Sequence, residues 1–207
     1  MKPARATDAA HVPCHLATLV LAAGAGSRFG GAKLLALVEG EPMLQRAARL
    51  AAALTPGTAF VVLGCEHERL RAALPADVHA IEHAAWAEGL GSSLAAGIRA
   101  LPTNIDGALV LLADQVALTT AALKPLLACW RLAPERVVCA QYGGGPGVPA
   151  IFPRRLFATL AALHGDRGAK PLLLAETDAT TQLPLPEAAI DIDTPADLRA
   201  YRATSQS

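Results

Sequence analysis

The stretch Leu21-Ala22-Ala23-Gly24-Ala25-Gly26-Ser27-Arg28-Phe29-Gly30-Gly31-Ala32-Lys33-Leu34-Leu35 decides the fold. An apolar run over residues 17–22 has the length and composition of a buried strand, and it opens directly into four glycines with one Arg and one Lys. Glycine lets the backbone approach a ligand closely, and successive amides in such a turn form a cradle for anions. Two cations in the same loop point to a polyphosphate. Spacing excludes two better-known loops. A P-loop ends in Gly-Lys-Ser/Thr, whereas Lys33 lies between Ala32 and Leu34. A dinucleotide loop is spaced G-x-G-x-x-G, whereas Gly24, Gly26 and Gly30 are spaced G-x-G-x-x-x-G. The plainer reading of these residues is a glycine-rich strand-to-helix connection with two solvated cations.

Outward from this loop, strands and helices alternate. Apolar runs at residues 59–64, 78–81, 108–112 and 137–140 have the length of parallel strands. Helical patterns lie between them at about 42–54, 66–74, 92–101 and 119–132; Pro42 suits a first turn and Pro56-Gly57 a stop. The rhythm breaks at Tyr142-Gly143-Gly144-Gly145-Pro146-Gly147, which reads as too flexible for an element. Beyond it, 148–152 reads as a short strand, 153–163 and 169–176 as helices, 188–192 as a late strand and 194–201 as a terminal helix. Repeated strand–helix units predict an α/β fold, a Rossmann-like doubly wound, mostly parallel sheet with helices on both faces. Ligands in such sheets sit beyond the carboxyl ends of the strands, where the 24–33 loop falls. A flexible tail over residues 1–16 and a single domain over 17–203 are expected, with no repeat and no dividing linker.

Composition agrees. A chain of 207 residues with 53% hydrophobic residues buries a large core as one domain. The balance of 18 basic against 18 acidic residues provides no global field toward nucleic acid or an anionic membrane, and 4% aromatics argues against a base-stacking platform. Cys14, Cys65, Cys129 and Cys139 form no C-x-x-C pair and read as small buried hydrophobes of a reducing compartment. No run has the length of a membrane span and the first sixteen residues carry no secretory h-region, so a cytoplasmic location is expected.

Several residues carry candidate chemistry. Asp114 follows the most apolar run, residues 107–112, and a carboxylate there faces the same crevice as the loop. It reads as a Mg²⁺ ligand, since magnesium prefers one or two carboxylates plus substrate phosphate oxygens; the alternative is a turn or capping Asp. Gln115 could hold that carboxylate or a substrate amide. Asp191 and Asp193 lie two apart on an extended segment. Thr194 and Asp197 take the capping task of the helix that Pro195 starts, which leaves Asp193 without one and favours it as a second metal ligand. Ser92 and Ser93, after Trp86-Ala87-Glu88-Gly89-Leu90-Gly91, read either as contacts to a nucleobase or ribose or as a serine-capped helix start. Gly165-Asp166-Arg167-Gly168-Ala169-Lys170 repeats the cation-and-glycine theme, as a second anion contact or as a solvated turn. The six histidines form no cluster and read singly as surface residues; no G-x-S-x-G elbow occurs.

Taken in order, these segments resemble one family, the molybdenum cofactor nucleotidyltransferases or MobA-like NTP transferases, and within it the cytidylyltransferase branch that uses CTP and molybdopterin. LAAGAGSRFGGAKLL resembles the family's phosphate loop, WAEGLGSSLAAG its G-x-x-x-S-L-x-x-G segment and LLADQV its L-x-D-Q-P metal motif. GVPAIF resembles G-x-P-x-x-F, GDRGAKPLL resembles G-D-x-G-A-R-x-L-L, and DIDTPADL resembles D-I-D-T-P-E-D-L. The six motifs span about Ala17 to Tyr201.

The resemblance implies that Ala22, Ala23, Gly24, Gly26, Arg28 and Lys33 bind the nucleotide, with Ser92 and Ser93 nearby. It implies Mg²⁺ on Asp114 and Asp193, catalytic roles for Arg28, Lys33 and Asp114, and an acceptor, molybdopterin, near Gln115, Asp166, Arg167 and Lys170. An acceptor molybdoenzyme as partner follows from the same likeness. The Ala22-Ala23-Gly24 start resembles the CTP branch rather than the Ala-Gly-Gly start of the GTP branch. Departures are Val116 for Pro, Val148 for His, Lys170 for Arg and His83 for Asn; Lys170 keeps the charge but not bidentate phosphate recognition. The competing readings are transfer to another phosphorylated acceptor, such as a sugar phosphate, and a non-catalytic nucleotide- or cofactor-binding module.

Overall fold

The computed structural model describes residues 14–205, and its centre is the strand from which the glycine loop departs. β1 (Leu16–Ala22) is buried at every position. Leu16, Val20 and Ala22 enter one core layer while Ala17, Leu19 and Leu21 enter the other, because successive side chains of a strand point to opposite faces. Burial on both faces is why the run is apolar rather than alternating, apart from Thr18, whose hydroxyl accepts from that of Thr55 at 2.8 Å.

The chain continues through a small hairpin, β2 (Leu37–Val38) and β3 (Glu41–Pro42), into α1 (Met43–Leu54), β4 (Ala59–Leu63), α2 (His67–Ala72) and β5 (His79–Glu82). After α3 (Leu90–Ala100) come β6 (Gly107–Leu112), α4 (Thr120–Leu132), β7 (Val137–Tyr142) and β8 (Gly145–Pro153). The last elements are α5 (Phe157–Ala161), α6 (Lys170–Ala175), β9 (Thr180–Pro184) and α7 (Pro195–Ser205). Among the described residues seven strands form one sheet in the order β5-β4-β1-β6-β8-β7-β9. One face carries α1 and α4, through Leu44, Ala48, Leu123 and Trp130; the other carries α3, α5 and α6, through Leu94, Ile98, Leu160 and Leu173. This is the doubly wound arrangement expected. No helix among the described residues is long and apolar enough to cross a membrane.

Strand order explains where the site must lie. From β1 the chain runs outward to β4 and β5, then returns to place β6 on the other flank of β1, both neighbours parallel to it. Connections leaving two adjacent parallel strands in opposite directions open a crevice at their carboxyl ends. The two segments that emerge there are the glycine loop after β1 and the Ala113–Asp114 turn after β6.

Three details differ from the sequence expectation. The tract 142–147 is not a break: Gly143 and Gly144, at φ 57° and 84°, form a two-residue turn, and the residues around them pair antiparallel. Such primed turns need two positive φ angles, which glycine supplies without strain. β8 therefore runs antiparallel between β6 and β7. Residues 188–192 are not a strand; Pro186–Ala189 is a 3-10 turn and the following segment is irregular, with Ala188 and Ile192 plugging the core. The last strand is instead β9, half-exposed and parallel to β7. At the chain start, Leu16 of the expected tail is the first residue of β1, and the His15 N–H donates to Asp106 at 2.9 Å. Residues 1–13 of that tail lie outside the described residues.

Candidate functional site

After β1 the loop coils back on itself. Gly26 takes a left-handed φ of 59°, and a Cβ there would sit 2.9 Å from the Lys33 Cβ. Glycine thus allows the turn to close over Lys33. The Phe29 N–H donates to the Gly26 carbonyl at 2.8 Å and the Lys33 N–H to that of Gly31 at 2.7 Å, which directs the Lys33 side chain inward. Lys33 is only 9% exposed, and its ammonium donates at 2.8 Å to Asp114 Oδ2 and at 2.8 Å to Asp193 Oδ1. Arg28, on the outer side of the loop, lies 3.1 Å from Asp193 Oδ2. Loop, strand end and late helix start therefore meet at one ammonium, from positions 81 and 160 residues apart in the chain.

Each carboxylate is held by its backbone. The Ala113 N–H donates to Leu21 of β1, tying the turn after β6 to the central strand, and the Ile192 N–H donates to the Asp114 carbonyl. Asp193 precedes the capping pair expected for α7. The Asp197 N–H donates to Thr194 Oγ1 at 3.2 Å, and Asp197 Oδ2 accepts from the backbone N–H groups of Thr194 and Asp193 at 2.7 and 3.1 Å. The Thr194 hydroxyl, which donates to Asp197 Oδ2 at 2.8 Å, and then these backbone N–H groups hold the Asp197 carboxyl below its ordinary range. At Lys33, burial pushes the ammonium down, but the charges and hydrogen bonds of Asp114 and then Asp193 outweigh it and the net shift is upward. Lys33 is a cation at any neutral pH.

Whether the pair suits a metal follows from its donors. Asp114 Oδ1 is buried and takes no hydrogen bond, so one oxygen of this carboxylate is left without a partner among the described residues. No group of three or more His, Cys, Asp or Glu among the described residues is placed to hold a metal. A metal here would rest on two carboxylates and on substrate oxygens, the oxygen-only and substrate-completed set that magnesium favours. The residues fit such an ion.

Cavities surround this junction. A small one of about 90 Å³ lies beneath the loop, between Gly24, Gly26, Lys33 and Asp114 on one side and Cys65 and Glu66 on the other. One of about 380 Å³ is lined by Ala23, Gly24, Trp86, Ser93, Asp114 and Asp166. One of about 430 Å³ is lined by Tyr142, the glycine hairpin, Arg167, Lys170 and Leu173. The two larger cavities share Leu21, Leu90 and Leu112, so they are halves of one cleft across the ends of β1 and β6. The turn 164–168 reaches both: Asp166 enters one half and Arg167 the other. It is docked on the start of α3, where the Gly91 N–H donates to the Gly165 carbonyl at 2.7 Å.

The structure brings together Ala22, Ala23, Gly24, Gly26, Arg28, Lys33, Ser93, Asp114, Asp166 and Asp193, and places Arg167 and Lys170 across the shared wall. Two expected residues stand elsewhere. Ser92 turns away from the cleft, its Oγ 2.7 Å from His83 Nε2, so the half-buried His83 is not a bare surface residue. Gln115 is 6% exposed and its amide donates to the carbonyls of Val148 at 2.9 Å and Ala188 at 2.8 Å. Both N–H groups are spent inside the protein; Gln115 is a strut, not a substrate contact. Trp86, Tyr142, Cys65 and Glu66 line the cavities without having been singled out. The signal for Cys65 was its place at the carboxyl end of the strand beside β1; Tyr142 was hidden by the glycine tract that follows it.

Comparison with known proteins agrees with this geometry. Residues 18–180 match the family model of the MobA-like NTP transferase domain. No match was found among curated proteins. Among solved structures, Rv0371c from Mycobacterium tuberculosis H37Rv is similar, at 25% identity and a TM-score of 0.79 over 92% of this chain and 98% of that one. The same protein in complex with manganese superposes at 24% identity and 0.74 over 92% and 99%. The molybdopterin-guanine dinucleotide biosynthesis protein A from Archaeoglobus fulgidus shares the fold at 15% identity and 0.68 over 91% and 98%.

Proposed function

The chain belongs to the MobA-like NTP transferase family, and from that premise we propose that it transfers CMP from CTP to molybdopterin, with release of pyrophosphate. The observation that carries the nucleotidyl-transfer reading is the convergence of Lys33, Asp114 and Asp193 beneath a glycine loop at the carboxyl ends of β1 and β6. CTP is favoured by the Ala22-Ala23-Gly24 start of the loop. Molybdopterin is favoured by the six ordered motifs and by the Archaeoglobus neighbour, whose name carries that cofactor.

In this reaction a phosphate oxygen of the acceptor attacks the α-phosphorus of CTP, the bond to the bridging oxygen of the β-phosphate breaks, and pyrophosphate leaves. A phosphate monoester is already anionic, so no protein nucleophile is required. The loop amides and Arg28 hold the β- and γ-phosphates, and Lys33 follows the charge that accumulates on the leaving pyrophosphate. Ser93 and Trp86 line the half of the cleft that takes the nucleoside, and Arg167 and Lys170 neutralise the acceptor phosphate in the other half. Asp114 and Asp193 would hold Mg²⁺, which when bound supplies charge neutralisation at the transferred phosphate.

A second acceptor, another phosphorylated molecule such as a sugar phosphate, is favoured by Val148 and Lys170, which line the acceptor half where the family often has His and Arg. The deciding experiment is a pyrophosphate-release assay with CTP, GTP and ATP, each with and without molybdopterin and with a panel of sugar phosphates. Release that requires CTP and molybdopterin together is expected. Release with a sugar phosphate alone transfers the assignment to the second acceptor, and tight nucleotide binding with no release under any pairing leaves a binding module.

A further inference from the structure

We propose that Lys33 is a tethered competitor of the metal: it occupies the Asp114–Asp193 pair until a triphosphate draws it away, so divalent ion and nucleotide bind together rather than metal first. The inference rests on the reading of these two aspartates as the metal ligands.

Geometry makes the competition direct. The Lys33 ammonium lies 2.8 Å from one oxygen of each carboxylate, and magnesium bound to the same oxygens would sit about 2.0–2.1 Å from them. An ammonium and a divalent ion cannot both fill that space. Charge argues the same way. Two carboxylates face Lys33 and Arg28, all within 3.1 Å of their partners, so the cluster is already neutral. A divalent ion added alone would leave an excess of two positive charges in a site where Lys33 is 9% exposed and Asp114 23%. A triphosphate delivers the missing negative charge.

The loop also offers Lys33 somewhere to go. Its Cβ lies against Gly26 of the loop, and its four-carbon stem is flexible with three donors at the tip. Rotation about that stem is the movement by which the ammonium exchanges the carboxylates for a phosphate bound at the loop. Arg28, 76% exposed at its side chain, is equally able to exchange Asp193 for phosphate.

The test uses Mn²⁺ as probe on the full chain, with bound and free ion distinguished by electron paramagnetic resonance and the fold of each variant checked by circular dichroism. Wild type, Lys33→Met, Lys33→Gln and Asp114→Asn are compared with and without CTP. Without nucleotide, both Lys33 variants bind Mn²⁺ about tenfold more tightly than wild type, within the usual range of site–site coupling; Lys33→Gln keeps an N–H donor and isolates the charge. The gain in Mn²⁺ affinity on adding CTP is smaller in the variants by the same factor, since chelation by free CTP is common to all. Lys33 variants that bind Mn²⁺ no better than wild type, while Asp114→Asn loses it, overturn the competition and leave the metal ligands standing. Asp114→Asn binding Mn²⁺ like wild type removes the ligand assignment and the competition together.

Discussion

Gln115→Met separates a strut from a substrate contact. Methionine keeps the length and apolar stem of glutamine, so packing changes little and the loss is confined to hydrogen bonds. The Gln115 amide donates to Ala188 at 2.8 Å and Val148 at 2.9 Å, inside a site where the residue is 6% exposed. Leaving a buried polar group without its partner costs about 1–3 kcal/mol. The Val148 carbonyl keeps the Tyr142 hydroxyl, which donates to it at 2.8 Å, so that end falls at the low limit, and the two together come to about 2–4 kcal/mol. The bond from Leu112 N–H, at 3.5 Å, adds little. For a chain of this size such a loss lowers Tm by roughly 4–16 °C. Urea unfolding followed by tryptophan fluorescence measures it, and the acceptor KM is measured on the same variant. A stability change below about 0.5 kcal/mol, the level of an ordinary surface substitution, with a raised acceptor KM would refute the strut and restore Gln115 to the substrate.

Asp114→Ala abolishes metal-dependent pyrophosphate release while circular dichroism stays that of the wild type; unchanged turnover would remove the metal assignment. Gly91→Ala places a Cβ 2.8 Å from the Gly165 carbonyl oxygen and 2.9 Å from that of His164, displacing the turn that carries Asp166 and Arg167. It lowers stability by about 1–3 kcal/mol and raises the acceptor KM, and an unaltered KM at reduced stability would show that the turn does not touch the acceptor. Asp197 titrates lower in the folded chain than its ordinary value of 3.8, so its contribution is complete above that value and disappears as pH falls through the folded one. The stability difference between wild type and Asp197→Asn is therefore constant from pH 6 down to about 3.8 and narrows progressively as the pH is lowered further; a difference that does not narrow below pH 3.8 in denaturant titrations contradicts the linkage.

How much of this was readable in the sequence depends on what made each element. β1, β4 and β6 are buried on both faces, so their apolar runs announce them, and the loop after β1 announces the crevice. β9 is different: Thr180-Thr181-Gln182 is half-exposed and becomes a strand by pairing with β7, which no hydrophobic pattern records. Residues 188–192 show the converse, a largely apolar segment that reads as a strand but only inserts Ala188 and Ile192 into the core while Ile190 stays exposed. Asp114 and Asp193 were legible from their places at a strand end and before a capped helix. That both turn on Lys33 was not, because contacts across 81 and 160 residues exist only once the sheet has formed. Gln115 was misread for a related reason. Its partners, Val148 and Ala188, are backbone carbonyls, and a backbone carbonyl leaves no mark on a sequence.

The two halves of the cleft balance charge differently. At the glycine loop every cation is matched, Lys33 by Asp114 and Asp193 and Arg28 by Asp193. In the cavity beside the glycine hairpin, the half proposed for the acceptor, Arg167 and Lys170 line the wall with no ion pair among the described residues. A chain with 18 basic and 18 acidic residues thus keeps a local positive field on one side only. That asymmetry suits the proposed reaction. A triphosphate arriving with its divalent ion must exchange partners with a neutral cluster, whereas an acceptor phosphate meets unpaired cations and needs no counter-ion of its own. Charge reversal at Arg167 should consequently harm the acceptor KM and leave the nucleotide KM near its wild-type value.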